Sequence, residues 1–211
     1  MTSHFKEFYD RQIVPRLIDG ACSLPAVTEQ RRRVVPEAEG VVLEIGIGSG
    51  LNLRHYDRAK LDRVIGVDPD QKMLELARTR AGELGIEADL RQASAEELPL
   101  DENSVDTALV TYALCSIPQA GVALGEVRRV LRTGGRLLFC EHGRSNRAST
   151  AKWQDRLTPI WKQFSGGCHL NRDVAGLIKG AGFEVLILDN FKLPYIPETV
   201  SFHYVGAARP R

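Results

Sequence analysis

Val41-Val42-Leu43-Glu44-Ile45-Gly46-Ile47-Gly48-Ser49-Gly50 is the stretch on which the fold of this chain turns. Its first five residues form a short apolar run that ends in glycine, the texture of a buried strand. Glycines at alternate positions then let the backbone turn tightly and let a ligand approach it closely. A loop of this kind at the carboxyl end of the first parallel strand is where such sheets bind nucleotides. The dinucleotide form needs glycine at the first, third and sixth places, and here the sixth is Leu51 while Gly50 is fifth. No Gly-Lys-Ser/Thr follows, so a triphosphate loop is excluded as well.

Outward from this loop, strand and helix patterns alternate. The sequence predicts strands over 63–68, 105–111 and 136–140. Between them it predicts helices over 71–84, with Met73, Leu74, Ala77 and Ala81 on one side, and over 122–131. Such alternation specifies a parallel sheet covered on both faces. Before Pro36 the pattern is helical. Phe5, Phe8, Tyr9, Ile13, Leu17 and Ile18 recur at steps of three to five, with a kink expected at Pro15. Ser23 is read as the cap of a second helix with Pro25 in its first turn. The Arg31-Arg32-Arg33 run on that helix is read as a solvated face. After residue 143, Trp153, Leu157, Ile160, Trp161 and Phe164 fit one side of a helix interrupted at Pro159. Asn171 is read as the cap of another helix, ending near Gly180. Two strands, 183–189 and 200–207, close the chain without a helix between them, which makes them antiparallel. The expectation is one domain over 1–211: a helical cap (1–36), a cofactor-binding core (37–142), and an acceptor-site insertion with the final strands (143–211).

Composition narrows the class. The chain has 211 residues, 28 Lys and Arg against 27 Asp and Glu, and a net charge of +1, a balance that argues against holding nucleic acid by phosphate neutralisation. Cys22, Cys115, Cys140 and Cys168 stand far apart, without the spacing of a zinc clamp or a redox dithiol, so no metal is expected and reduced thiols in a cytoplasmic protein are. The longest uncharged stretch, 107–125, is broken by Ser116, Pro118, Gln119 and Gly121, and no transmembrane segment is expected. Peripheral membrane contact and the oligomeric state are left open.

Asp68 ends the second strand about twenty residues beyond the loop, where a carboxylate can accept both hydroxyls of a ribose. With the Gly46-x-Gly48-x-Gly50 loop stand Gln92-Ala93-Ser94-Ala95-Glu96-Glu97-Leu98-Pro99, Val105-Asp106 and Val130-Leu131-Arg132-Thr133-Gly134-Gly135. Together, in this order, they resemble the class I S-adenosylmethionine-dependent methyltransferases. The resemblance implies a Rossmann-like, doubly wound, seven-stranded and mostly parallel α/β sheet, with an antiparallel last strand pair and N-terminal helices. It implies S-adenosyl-L-methionine as cofactor. Glu44 would steady the loop or accept from the cofactor's amino group, and Gly46, Gly48 and Gly50 would allow its close approach. Asp68, with Pro69 after it, would hold the ribose. Met73 and Leu98 would pack near the adenine, with Ser94, Ala95 and Glu96 along its edge. Many relatives carry Asp where Ser94 stands, and serine is the weaker acceptor. Thr111, Leu114 and Cys115 would lie beside the reactive methyl group, and Tyr9 would belong to a segment closing over the cofactor.

A nearer similarity runs through Leu114-Cys115-Ser116, Phe139-Cys140-Glu141-His142, Trp153-Gln154, Pro159-x-Trp161, Gly167-Cys168-x-Leu170, His203-Tyr204 and Gly206-Ala207. These landmarks resemble the animal alkyl-thiol S-methyltransferases, the methyltransferase-like 7 family. That implies a small-molecule acceptor, a lipophilic thiol. N-, O- or C-methylation of a quinone, amine or phospholipid precursor is the alternative, and a nicotinamide oxidoreductase is the alternative from another class. His142 is the candidate catalytic residue, as general base or orienting donor; the other reading has His142 or Glu141 as a structural brace. His169 and His203 rank behind it. Cys115 and Cys168 are read as small apolar core residues. The aromatic stripe over 153–164 is read as a packing surface, part of it forming a lid over the acceptor.

Overall fold

The computed structural model describes residues 14–211, with side chains from Leu17 onward. Phe5, Phe8, Tyr9 and Ile13 therefore lie outside the described residues. In chain order the principal elements are α1 (Val14–Cys22), α2 (Pro25–Val34), β1 (Gly40–Ile45), β2 (Leu61–Asp68), α3 (Gln71–Leu84), β3 (Ala88–Gln92), β4 (Val105–Thr111) and α4 (Ala120–Val130). Then come β5 (Leu131–His142), α5 (Ala148–Phe164), α6 (Val174–Gly180), β6 (Phe183–Lys192), the one-turn α7 (Glu198–Ser201) and β7 (Phe202–Pro210).

The strands make one seven-stranded sheet in the order β3-β2-β1-β4-β5-β7-β6. β1 pairs in parallel with β2 and β4, β2 with β3, and β4 with β5, while β7 runs antiparallel to both β5 and β6. The strand period of two sorts the core onto two faces. Leu43, Ile65, Val110 and Leu137 pack on one side with Leu124 and Val127 of α4 and Ile178 of α6. Their chain neighbours Val42, Val64, Leu109 and Leu138 pack on the other with Leu74 and Ala81 of α3 and Val34 of α2. Burial on both faces is why these strands read as unbroken apolar runs rather than alternating ones. The connections leave β1 toward β2 on one side and reach β4 on the other. A crevice therefore opens at the carboxyl ends of β1 and β4, the place where this topology binds ligands.

Several local expectations change. Ser23 is not the cap of α2: Leu24 holds that position without a side-chain bond, and the Ser23 hydroxyl donates to the Asp19 carbonyl at 2.6 Å, closing the end of α1. Pro25 does open α2, where its missing N–H costs nothing. The cap of α6 is Asp173, whose carboxylate accepts from the Gly176 N–H, while Asn171 donates to Asp155 at 2.9 Å. α5 runs through Pro159. The carbonyl that Pro159 leaves without a helical donor belongs to exposed Asp155, where water can take the N–H's place. A single turn, α7, does intervene between the last two strands, which are antiparallel as expected. Among the described residues no helix is long and apolar enough to cross a membrane.

Candidate active site

The carboxyl ends of β2, β1, β4 and β5 stand side by side in the sheet, so the segments leaving them are neighbours despite their separation in sequence. In that order they deliver Asp68, the glycine loop, residues 111–115 and His142.

Gly46, Gly48 and Gly50 all have positive φ (63°, 55° and 79°), a backbone that side chains disfavour. Their surroundings differ. A Cβ at Gly46 would sit 2.6 Å from the Ala113 Cβ, and one at Gly50 would sit 2.7 Å from Leu53 Cδ1. Those two glycines serve the packing of the loop. At Gly48 the nearest atom is Met73 Cε at 3.6 Å, an ordinary contact distance, so packing does not require the glycine there. Asp68 is tied to this spot: its Oδ2 accepts from the Gly48 N–H at 3.0 Å and its Oδ1 from the Asp70 N–H at 2.9 Å. Each oxygen keeps a lone pair, and burial raises the Asp68 pKa against the pull of these two bonds. Pro69, exposed, follows it. The Ala93 N–H donates to the Asp68 carbonyl at 3.2 Å, which brings the 93–96 segment alongside. There Ser94 is exposed and its hydroxyl accepts from the Glu96 N–H at 3.1 Å, Ala95 is buried, and the Glu96 carboxylate accepts from the Gln119 N–H at 2.6 Å. Bare backbone at Gly48, a carboxylate with free lone pairs and an apolar Met73 side chain beside them fit a nucleoside with a cis-diol. S-adenosylmethionine carries such a diol, as nicotinamide dinucleotides do.

Beneath the loop lies a buried polar network that periodicity does not reveal. Asn52, with no exposed surface, donates to Glu44 Oε1 at 2.8 Å and to Thr111 Oγ1 at 2.9 Å. Tyr56 donates to Glu44 Oε2 at 2.7 Å. Glu44 is 1% exposed with both oxygens engaged, so of its two expected roles the geometry carries the steadying of the loop. Arg31 completes the network, donating to Asn52 Oδ1 at 2.8 Å and Thr111 Oγ1 at 2.6 Å, with its guanidinium 4.9 Å from the centre of the Tyr112 ring. The solvated-face reading of the arginine run thus fails at Arg31, which is 5% exposed, and holds for Arg32. The same cap reaches the loop a second time, through a hydrogen bond from Ser49 Oγ to Asp19.

Burial pushes the Glu44 carboxyl up from 4.5 to about 7, against the Tyr56 and Asn52 hydrogen bonds and the nearby Arg31 charge. Between those two values the folded chain holds more protons than the unfolded one. Glu44 therefore supports the fold fully below its unfolded pKa, and that support is lost as pH rises through about 7. Glu44→Gln is expected to remove this slope: urea titrations at the two ends of the window should show wild type losing roughly 3 kcal/mol relative to the variant. Parallel pH profiles for the two proteins would refute the assignment.

Beyond the loop lies a cavity of about 420 Å³. Leu17, Ile18 and Cys22 of α1 and Val27 of α2 form one wall, Trp161 and Phe164 of α5 a second, and Leu193, Ile196 and Val200 a third. Its remaining wall is made by Tyr112, Cys115, His142, Cys168 and His203. Of the aromatic stripe on α5, Trp161 and Phe164 line this cavity, while Trp153 lies under Arg156 elsewhere on the same helix. A wider, open depression of about 820 Å³ lined by Pro118, Gly121, Arg172 and Gly180 shares no residue with this cavity or with the loop.

Tyr112 leaves β4 with φ of 55°, a conformation strained for a tyrosine. Its hydroxyl lies 3.1 Å from His203 Nε2, and the other ring nitrogen of His203 lies 2.7 Å from the Ser201 carbonyl. A carbonyl only accepts, so Nδ1 carries the proton and Nε2 accepts from Tyr112. Burial lowers the His203 pKa to about 4, and with both nitrogens engaged this ring holds structure. His169 is likewise a brace, 3.1 Å from the Cys115 carbonyl. Glu141 accepts from the Ala113 and Leu114 N–H groups at 2.7 and 3.0 Å, so the brace expected of Glu141 or His142 is Glu141, which fixes the turn carrying Leu114 and Cys115. Leu114 is core, 1% exposed. His142 stays at the cavity wall, its Nε2 3.2 Å from Cys168 Sγ. The Cys115 Sγ lies within 4.8 Å of both, and the neighbouring Cys168 thiol and His142 ring hold the Cys115 thiol well below the usual thiol range despite burial.

Residues 43–139 match a family model described as a methyltransferase domain. The chain is 33% identical over 174 residues to a thiol S-methyltransferase TMT1B of Rattus norvegicus, covering 81% of this chain and 70% of that protein. It is 34% identical over 105 residues to a phosphatidylethanolamine N-methyltransferase of Cereibacter sphaeroides, covering 49% and 51%. Its fold is similar to that of a geranyl diphosphate methyltransferase solved in complex with SAM, with a TM-score of 0.68 at 16% identity over 100% of this chain and 92% of that one.

Proposed function

We propose, from the premise that this chain belongs to the family of class I S-adenosylmethionine-dependent methyltransferases that includes the thiol S-methyltransferases, that its acceptor is a small lipophilic thiol. The observation that carries this is the cavity at the ends of β4 and β5: among the described residues no Lys, Arg, Asp or Glu side chain lines it. A phospholipid headgroup, with its anionic phosphate, would enter without a Lys or Arg partner, at a desolvation cost of several kcal/mol. An apolar thiol brings no charge until its proton leaves.

When bound, S-adenosylmethionine supplies an electrophilic methyl group on a sulfonium. The chain's part is to position, to dry the site and to handle the acceptor's proton. Gly48 and Asp68 hold the nucleoside end, Asp68 through the ribose hydroxyls, with Pro69, Met73, Ser94, Ala95 and Glu96 along the adenine side. Glu44 and Thr111 keep the loop and the exit of β4 in place. Trp161, Phe164, Leu17 and Ile18 offer the acceptor apolar surface. His142, with Cys115 and Cys168, is the polar group facing it and is the catalytic residue in this reading.

Chemistry favours a thiol in so apolar a site. Making thiolate from a thiol of pKa ~8.5 at pH 7 costs about 2 kcal/mol, against about 4 kcal/mol for a phenol of pKa ~10. With labelled cofactor and acceptors matched in size, the thiol should exceed the phenol by about 30-fold in kcat/KM, and the amine should be slower still. Faster turnover of the phenol or the amine would refute the thiol assignment.

A further inference from the structure

Cys115, His142 and Cys168 come from three segments: the turn after β4, the last residue of β5 and the loop after α5. No sequence spacing links them. In the fold, their two sulfurs and one ring nitrogen all lie within 4.8 Å of one another, with Cys168 Sγ 3.2 Å from His142 Nε2. Neither cysteine is in a disulfide. All three side chains line the apolar cavity. Their supports are fixed as well: Glu141 holds the Ala113 and Leu114 N–H groups, the His169 N–H donates to the Cys115 carbonyl at 2.9 Å, and His142 is held in the sheet opposite His203.

Tetrahedral zinc, with bonds of about 2.3 Å to sulfur and 2.0–2.1 Å to nitrogen, sets its ligand atoms about 3.5–3.8 Å apart. The cluster is within about an ångström of that arrangement before any ion is placed. Two thiolates and one imidazole, with a fourth direction facing a cavity, are the donor set of a zinc site that binds a reactant, not of a closed structural one. We propose that Cys115, His142 and Cys168 bind one zinc ion, and that its open position ligates the acceptor thiol as a thiolate. The second half rests on the thiol reading above. When the acceptor binds, its S–H bond breaks, an S–Zn bond forms and the proton leaves to the bulk buffer; zinc remains divalent and nothing is oxidised. This gives so apolar a cavity a means of holding a thiolate, and His142 then acts as a ligand to the ion.

The test uses the reduced, chelator-stripped full chain. Titrated with zinc against a chromophoric chelator, it should bind one ion with Kd below about 1 μM. Cobalt(II) in its place should show sulfur-to-metal charge transfer and tetrahedral d–d bands, and an added alkyl thiol should shift those bands. Cys115→Ser, Cys168→Ser and His142→Ala should each weaken zinc by more than the ~10–100-fold cost of losing an outer-shell partner, while a wild-type circular dichroism spectrum and cooperative urea unfolding show that each variant is folded. Binding weaker than this, or binding indifferent to these substitutions, overturns the metal site, as does a Cys115–Cys168 disulfide forming instead. Undiminished thiol methylation by the zinc-free enzyme leaves the thiol reading standing and overturns the zinc proposal. Tight zinc binding without methylation of any thiol does the reverse for the site and the acceptor.

Discussion

Asp68→Ala is expected to weaken S-adenosylhomocysteine binding by about 100-fold or more. Hydrogen bonds to a charged group contribute about 1.5–3 kcal/mol each, and this carboxylate is placed to accept two from a ribose. It also orients the Gly48 backbone, proposed to carry the ligand, through the bond from the Gly48 N–H at 3.0 Å. Asp68→Asn keeps the shape and an acceptor oxygen, and should recover part of the loss. A purely structural Asp68 would show itself differently, with melting temperature falling and affinity changing little. Calorimetry with both variants, next to a denaturant titration of each, separates the two. Wild-type affinity in Asp68→Ala would remove the nucleoside from this sheet edge.

The second large effect belongs to Arg31. Arg31→Met keeps most of the hydrocarbon but takes the donor away from Asn52 and Thr111 and the positive charge away from the neighbourhood of Glu44. Breaking a buried charged network from one side typically costs 3–5 kcal/mol, and a stability loss near the lower end of that range is expected here. Above about pH 7, where Glu44 is ionised, it is the charge left uncompensated, so Glu44→Gln in the same chain should there return part of the loss. A double-mutant cycle should give an interaction of about 1–3 kcal/mol between the two positions. Strict additivity would mean that Arg31 and Glu44 do not share a network. Cofactor affinity should fall in Arg31→Met as well, because Thr111 and Asn52 connect this arginine to the floor of the glycine loop.

What could be read from the sequence was what local pattern governs. The glycine loop, the position of Asp68 and the spans of α3 and β4 followed from apolar runs and their stops. So did the antiparallel pairing of the final strands. β3 was not located, because its burial is only partial and no apolar run announces it. Arg31 was misread because an arginine that turns inward looks, in periodicity, like its neighbours Arg32 and Arg33; only the polar partners supplied by β1, β4 and Asn52 bury it. Ser23 and Asn171 are good capping residues that the fold employs elsewhere, each on a carbonyl or carboxylate brought close by a neighbouring turn or helix. Tyr112 gave no signal, since its left-handed backbone is imposed by the exit of β4 toward the cavity. The Cys115, His142 and Cys168 cluster lay beyond any spacing argument: its members meet because β4 and β5 are adjacent and the loop after α5 folds back over their ends.

The central claim is that one sheet edge, read from β2 through β1 and β4 to β5, places a nucleoside on Gly48 and Asp68 with its sulfur turned toward the apolar cavity. A crystal structure with S-adenosylhomocysteine tests it most directly. It should show the ribose hydroxyls on the Asp68 carboxylate and the sulfur facing Tyr112, Cys115 and His142. A nucleoside bound elsewhere, or a sulfur pointing away from that wall, would contradict it.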